Sequence, residues 1–171
     1  MQTIILGGGC FWCIEAGLRR LQGVQSAVSG YMGGKQPSPT YEQVCTGASG
    51  HIEVVEVCFD DSTLSLETLL QAFFLLHDPT QINRQGGDIG EQYKSIIFYV
   101  DAQQKQICEK VIKKAQEDRK SPIATELEKT EIFYSAEDYH QNYYTNNASA
   151  SYCQIIIAPK LKKLMENIGK K

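Results

Sequence analysis

The chain has 171 residues, 42% of them hydrophobic and 22% charged, with a formal net charge of −3. That length suits one domain, residues 1–171, with a real core. The mild negative balance gives no reason to expect a nucleic-acid partner, and no apolar run approaches membrane-spanning length. The chain enters a strand straight after Met1 with no leader pattern, so a cytoplasmic monomer with no membrane partner is expected. In a reducing compartment six cysteines do not imply a disulfide framework, which makes a C-x-x-C pair catalytic or metal-binding instead.

Gln2 to Leu6 is a short β-branched run that predicts a strand, Gly7-Gly8-Gly9 a tight turn, and Cys10 to Leu21 carries apolar residues at helical spacing. Cys10 therefore opens a helix, where free backbone N–H groups and the positive end of the dipole favour a thiolate. An ordinary cysteine has a pKa of about 8.5, so a shift of one or two units changes its reactivity substantially. Two other readings compete for this stretch. A dinucleotide-binding turn would need a third glycine where Trp12 stands. Cys10 and Cys13 could also be buried cysteines or half of a zinc site, but no second C-x-x-C follows and His51, His77 and His140 are scattered, so no metal is expected.

Gly23 to Tyr31 reads as a second strand and Thr40 to Gly50 as a turn-rich stretch. His51 to Phe59 is the strongest strand pattern, with Ile52, Val54 and either Val57 or Phe59 toward a core and Glu53 on the other register. Ser65 is a predicted N-cap for a buried helix over Leu66–Leu76. The polar, glycine-rich connection from His77 to Tyr93 has the length of a loop that lines a site. Lys94–Val100 predicts a strand, Asp101 caps a helix over Ala102–Lys120, and Ala124–Phe133 alternates as an edge strand. Ala136–Tyr144 and Pro159–Ile168 read as short helices, and the basic stretch from Lys160 to Lys171 as a solvated helix face. Up to Val100 the order is strand, helix, strand, strand, helix, strand. It predicts an α+β fold, a two-layer α/β plait with a ferredoxin-like βαββαβ core and a C-terminal helical and coil extension.

Six stretches together resemble the A-type peptide methionine sulfoxide reductases. They are G-C-F-W at Gly9–Trp12, T-Y-E-Q-V-C at Thr40–Cys45, G-H-I-E-V-V at Gly50–Val55, the whole His77–Tyr93 segment, A-E-D-Y-H-Q at Ala136–Gln141 and Y-C-Q-I-I-I-A-P-K at Tyr152–Lys160. The resemblance covers roughly Ile4 to Lys160 and implies reduction of the S epimer of methionine sulfoxide, free or in proteins, for repair after oxidative damage. It implies no bound cofactor and regeneration by thioredoxin, or by dithiothreitol in vitro. Ile52, Gly87 and Lys94 depart from the usual alanine, asparagine and arginine without removing a needed group. Cys13 replaces a common glycine, and the glycine- and cysteine-rich tail of other members is absent from this sequence.

A sulfoxide presents an electrophilic sulfur, a poor oxide leaving group and an apolar methyl, and each asks for a different partner. The resemblance makes Cys10 the nucleophile that ends as a sulfenic acid, and Glu53 the general acid, a carboxyl held neutral near pH 7. Tyr41 and Tyr93 match hydrogen-bond donors to the oxygen, Asp88 an acidic residue of the same pocket, and Phe11 and Trp12 the cage for the methyl. Read without it, Glu53 is a solvent-facing strand residue and the aromatics are ordinary core. For the second thiol, Cys13 lies within one helical turn of Cys10 and is preferred, with Cys153 as the rival in a stretch that looks packed. Cys45, Cys58 and Cys108 are expected to be inert core residues. Two other classes stay open at this point: a dithiol–disulfide exchanger using Cys10 and Cys13, and a noncatalytic thiol–zinc module.

Overall fold

Strand β1 (Gln2–Gly7) runs through the middle of the sheet in the computed structural model, which describes residues 1–168. Its alternating side chains serve two apolar clusters, Ile4 and Leu6 on one face and Ile5 on the other, so both faces of the central sheet are covered. The chain continues through α1 (Phe11–Leu18), β2 (Val24–Met32), α2 (Tyr41–Cys45), β3 (Ile52–Phe59), α3 (Leu66–Leu76) and a two-residue ladder of β4 (Arg84–Gln85) with β5 (Asp88–Ile89). Then come β6 (Ile96–Tyr99), α4 (Ala102–Glu117), β7 (Glu126–Lys129), β8 (Tyr134–Ser135), α5 (Tyr143–Asn146) and α6 (Ala158–Ile168). The six-stranded sheet has the order β7-β6-β1-β3-β2-β8. Every neighbouring pair is antiparallel except β6 and β7, which makes the molecule an α+β protein with a mixed sheet.

The larger cluster joins Ile4, Leu6, Val55, Val57 and Phe59 of the sheet to helix residues such as Ile14, Leu69, Leu70 and Phe73. Ser65 caps α3 by accepting from the Thr68 amide, and seven of its eleven side chains are buried. Each large apolar side chain so placed contributes roughly 1.5–3 kcal/mol. The smaller cluster, on the opposite face, holds Met32, Ile52, Val54, Ile96 and Phe98.

Several expectations are corrected. Val57 and Phe59 do not share a face with Ile52 and Val54, because β3 is buried on both sides and the two pairs belong to different clusters. Thr40–Gly50 is not all turn. Thr40 and Gln43 form a reciprocal capping box that starts α2, local chemistry able to stabilise a helix too short for an apolar period to show. Ala136–Tyr144 is not one helix but a 3-10 turn at Asp138–His140 followed by α5, broken where Asn142 adopts φ 50°. Tyr134–Ser135, unforeseen, pairs with the far edge of β2. Of the cysteines assigned to the core, Cys108 is buried, whereas Cys45 is exposed and Cys58 only half-buried. In the basic C-terminal stretch, Lys170 and Lys171 lie outside the described residues. Among the described residues no helix is long and apolar enough to cross a membrane.

Candidate active site

The turn between β1 and α1 is shaped by its glycines. Gly9 sits at φ 90°, left-handed backbone that favours glycine, and its N–H donates to the Tyr93 carbonyl at 3.1 Å. A side chain at Gly8 would meet the His77 ring at 2.9 Å. His77 is buried and its Nδ1 lies 2.7 Å from the Phe73 carbonyl, which can only accept, so Nδ1 carries the proton. Nε2 then accepts from Ser95 Oγ at 2.7 Å, and that hydroxyl in turn takes a hydrogen bond from Thr125 at 2.7 Å. Burial pushes the His77 pKa down to about 4, so this support is neutral. The long His77–Tyr93 connection thus holds the glycine turn from both sides.

Cys10 is the N-cap of α1 and only 8% exposed. Its pKa is not lowered, contrary to the expectation from its position. Burial pushes it well above the ordinary value, the nearby Glu53, Cys13 and Asp88 charges add to this, and the Trp12 amide alone pulls the other way. Magnitudes explain the outcome, since a helix terminus contributes about 0.3–1 kcal/mol while full burial can move a pKa by roughly 3–5 units. The group at rest is a thiol.

Glu53 projects from β3 on the same face as Val55 and Val57 and is 1% exposed, so it is no solvent-facing residue. Its Oε1 accepts from the Phe11 amide at 3.1 Å, one of the free donors at the start of α1. Its Oε2 is buried with no hydrogen-bond partner among the described residues. Burial pushes the carboxyl up to about 8, with the Phe11 amide partly opposing and the Asp88 charge reinforcing the shift. At neutral pH it is predominantly the acid, which gives a buried O–H donor with no acceptor among the described residues.

An aromatic shell surrounds these two groups. The Phe11 ring lies 5.0 Å from His140, 5.7 Å from Tyr31 and 6.4 Å from Tyr41. Trp12 stacks on Tyr143 at 3.7 Å and 7°, and its indole N–H donates to His140 Nδ1 at 3.0 Å. Tyr41 is held by its amide on Glu137 Oε2 at 3.0 Å, and Tyr31 by its hydroxyl on Glu137 Oε1 at 2.8 Å. Burial first, and then the Glu53 charge, raise the pKa of both Tyr41 and Tyr93, so both stay phenols able to donate. Asp88, on β5, accepts from the Tyr152 hydroxyl at 2.9 Å, and that hydroxyl lies 3.7 Å from Cys13 Sγ. All eight residues singled out in the sequence fall in this neighbourhood. Among the described residues no three His, Cys, Asp or Glu side chains are placed to hold a metal ion.

Sequence reasoning missed Glu15, Glu137, His140, Gln141, Tyr143 and Tyr152. Glu15, in α1, accepts from the Asn142 amide at 2.8 Å and pairs with Arg19 at 3.6 Å. The Gln141 side chain accepts from Ser29 N–H and donates to Ser29 C=O, at 2.9 and 2.8 Å, standing in for a strand partner of β2. These two side chains dock the segment that carries His140 and Tyr143 against Trp12. The available signals were a glutamate on the apolar face of a helix, for Glu15, and the matched stretches Ala136–Gln141 and Tyr152–Lys160, in or beside which the others stand.

A thiol and a protonated carboxyl buried side by side under aromatic rings, on an α+β scaffold, define a thiol-based oxidoreductase. A family model described as peptide methionine sulfoxide reductase matches residues 2–171. The chain is 51% identical over 168 residues to the peptide methionine sulfoxide reductase MsrA of Nautilia profundicola, covering 97% of this chain and 95% of that one. Among solved structures it resembles Mxr1 from Saccharomyces cerevisiae in reduced form, with a TM-score of 0.84 and 33% identity over 89% of this chain and 88% of that one. Mxr1 in complex with Trx2 shares the fold at a TM-score of 0.60 and 23% identity, over 83% of this chain and 84% of that one. The chain belongs to the peptide methionine sulfoxide reductase family, A type.

Proposed function

We propose that this chain is a peptide-methionine (S)-S-oxide reductase that repairs oxidised methionine, free or in proteins, with Cys10 as nucleophile and thioredoxin as its reductant. The observation that carries the reading is Glu53 Oε2, a buried carboxyl oxygen without a hydrogen-bond partner among the described residues, which as an acid can donate to a sulfoxide oxygen. As the Cys10 sulfur attacks the substrate sulfur, Glu53 donates to the oxide and the thiol proton replaces the one given up. Oxygen passes to Cys10, leaving a sulfenic acid and methionine. Tyr41 and Tyr93 donate to the same oxygen, Asp88 lines the pocket, and Phe11 and Trp12 receive the methyl.

Cys13 then closes a disulfide with Cys10, which thioredoxin reopens; the complex of Mxr1 with Trx2 supports that partner. Cys13→Ser is expected to yield one methionine per enzyme and then stall with thioredoxin. Steady thioredoxin-driven turnover in that variant would move the role to Cys153, which is buried at the first residue of the π-helical turn before α6. Because Glu53 titrates near 8, the rate constant of the sulfoxide step should be level at and below neutral pH and fall as the pH rises past about 8. Stopped-turnover methionine formation across pH checks this, and a rate that climbs through pH 8 removes Glu53 from the acid role.

We also read the four strands β6-β1-β3-β2 as a ferredoxin-like plait within a single catalytic domain, supported by their antiparallel order and by a family match spanning residues 2–171. Cysteine usage supports a reducing, cytoplasmic setting, and the monomer is part of the same reading.

A further inference from the structure

Cys13 is 1% exposed, yet a thiol that attacks a sulfenic acid has to lose its proton. Its sulfur lies 3.7 Å from the Tyr152 hydroxyl, and the same hydroxyl donates to Asp88 Oδ2 at 2.9 Å. A phenol carries one hydrogen, and here it is committed to Asp88. The remaining contact is therefore the Cys13 thiol donating into the Tyr152 oxygen. Three groups on three separated parts of the chain form a line from the buried sulfur to a half-buried carboxylate in β5.

We propose that Tyr152 and Asp88 are the proton exit for the resolving thiol, with Tyr152 passing the Cys13 proton to Asp88 as the Cys13 sulfur attacks Cys10. The proposal rests on the reading of Cys13 as the resolving residue. A Cys13–Cys10 S–S bond forms and the Cys10 S–O bond breaks. Cys13 is oxidised and the sulfenic sulfur reduced, and the departing hydroxide takes one proton from the Glu53 carboxyl beside Cys10 and leaves as water. That uptake balances the proton delivered to Asp88. Burial, with the Cys10, Cys13 and Asp88 charges adding to it, holds Tyr152 far from ionising, so it takes one proton as it gives another and no phenolate forms. Burial likewise raises the Cys13 thiol, while the Lys160 ammonium of α6 works against it. The groups facing Cys13 are thus Tyr152, Lys160 and Asp88, with Cys10 on its own turn.

Tyr152→Phe deletes the hydroxyl and keeps the ring that meets Trp12 edge-on at 5.6 Å. Pre-reduced wild type, Tyr152→Phe and Cys13→Ser are mixed with methionine sulfoxide without reductant, between about pH 6 and 9.5. Methionine, free thiols and trapped sulfenic acid are counted with time. Tyr152→Phe is expected to release methionine with the wild-type burst, to accumulate sulfenic acid, and to close the disulfide about a hundredfold more slowly. Its closure should accelerate with pH as free thiolate appears, while the wild-type profile stays shallow. Closure within twofold of wild type at every pH overturns the relay. Asp88→Asn, with Cys10 oxidised directly by peroxide so that substrate binding does not enter, reports the second step independently and is expected to show the same slow closure; wild-type closure there also overturns the relay. An intramolecular disulfide forming in Cys13→Ser overturns the underlying reading instead, and mapping its partner cysteine tells the two failures apart.

Discussion

Cys10→Ser is expected to lower methyl sulfoxide reduction to background, a loss on the order of 10⁴-fold or more, as befits removal of a covalent nucleophile. A serine hydroxyl is a poor nucleophile toward sulfur, and without a sulfur atom at this position no sulfenic acid can form. The rest of the pocket stays built. Cys10 makes no side-chain cap hydrogen bond to α1, so its replacement leaves the helix start, the Glu53 contact with Phe11 and the Trp12–Tyr143 stack in place. The measurement is methionine released per enzyme under excess dithiothreitol, with circular dichroism to show an unchanged fold. Residual turnover within tenfold of wild type would place the nucleophile at another sulfur.

Glu53→Gln is expected to slow the sulfoxide step by about 10²–10³-fold while leaving Cys10 open to alkylation. Gln keeps the shape and an acceptor for the Phe11 amide but has no acidic proton. The same variant should alter stability, and the sign follows from the pKa. A carboxyl whose folded pKa of about 8 exceeds its ordinary 4.5 binds its proton more tightly when folded. Its contribution is fullest below about pH 4.5, is lost as the pH rises toward 8, and is constant beyond. At about 1.4 kcal/mol per pKa unit the loss amounts to a few kcal/mol. Glu53→Gln should therefore have a flatter stability profile than wild type between those limits and exceed it at pH 9. Urea unfolding at pH 5, 7 and 9 reads this out. Parallel profiles in the two proteins, with an undiminished rate constant, would show that the carboxyl is neither buried at cost nor used.

Elements with strong local signals were legible. The apolar run of α3 with Ser65 as its cap, the β-branched run of β3 and the glycine turn before Cys10 all stand as read, to within a residue or two. What failed depended on contacts that no local pattern carries. α2 is made by a capping box, β8 by pairing with β2, and the segment around α5 by the side chains of Glu15 and Gln141, more than a hundred residues distant in one case or the other. The site divides in the same way. Motifs located Cys10, Glu53 and the aromatic rings, whereas the protonation state of Cys10 was misjudged because burial, a tertiary property, outweighs the helix end. His140 and Tyr143 stood in or beside a matched motif, but their stacking on Trp12 spans some 130 positions and leaves no trace in the residues themselves.

That separation has an outcome for the newly made chain. Trp12 leaves the ribosome early and His140 is 128 positions behind it, which at roughly 5–20 residues per second is a wait of about 6–25 s. For that interval Trp12 has no lid of imidazole and phenol, and the nascent polypeptide carries the Cys10 thiol uncovered. The pocket around Cys10 is in this sense completed late, when the segment carrying His140 and Tyr143 folds back onto the one carrying Trp12.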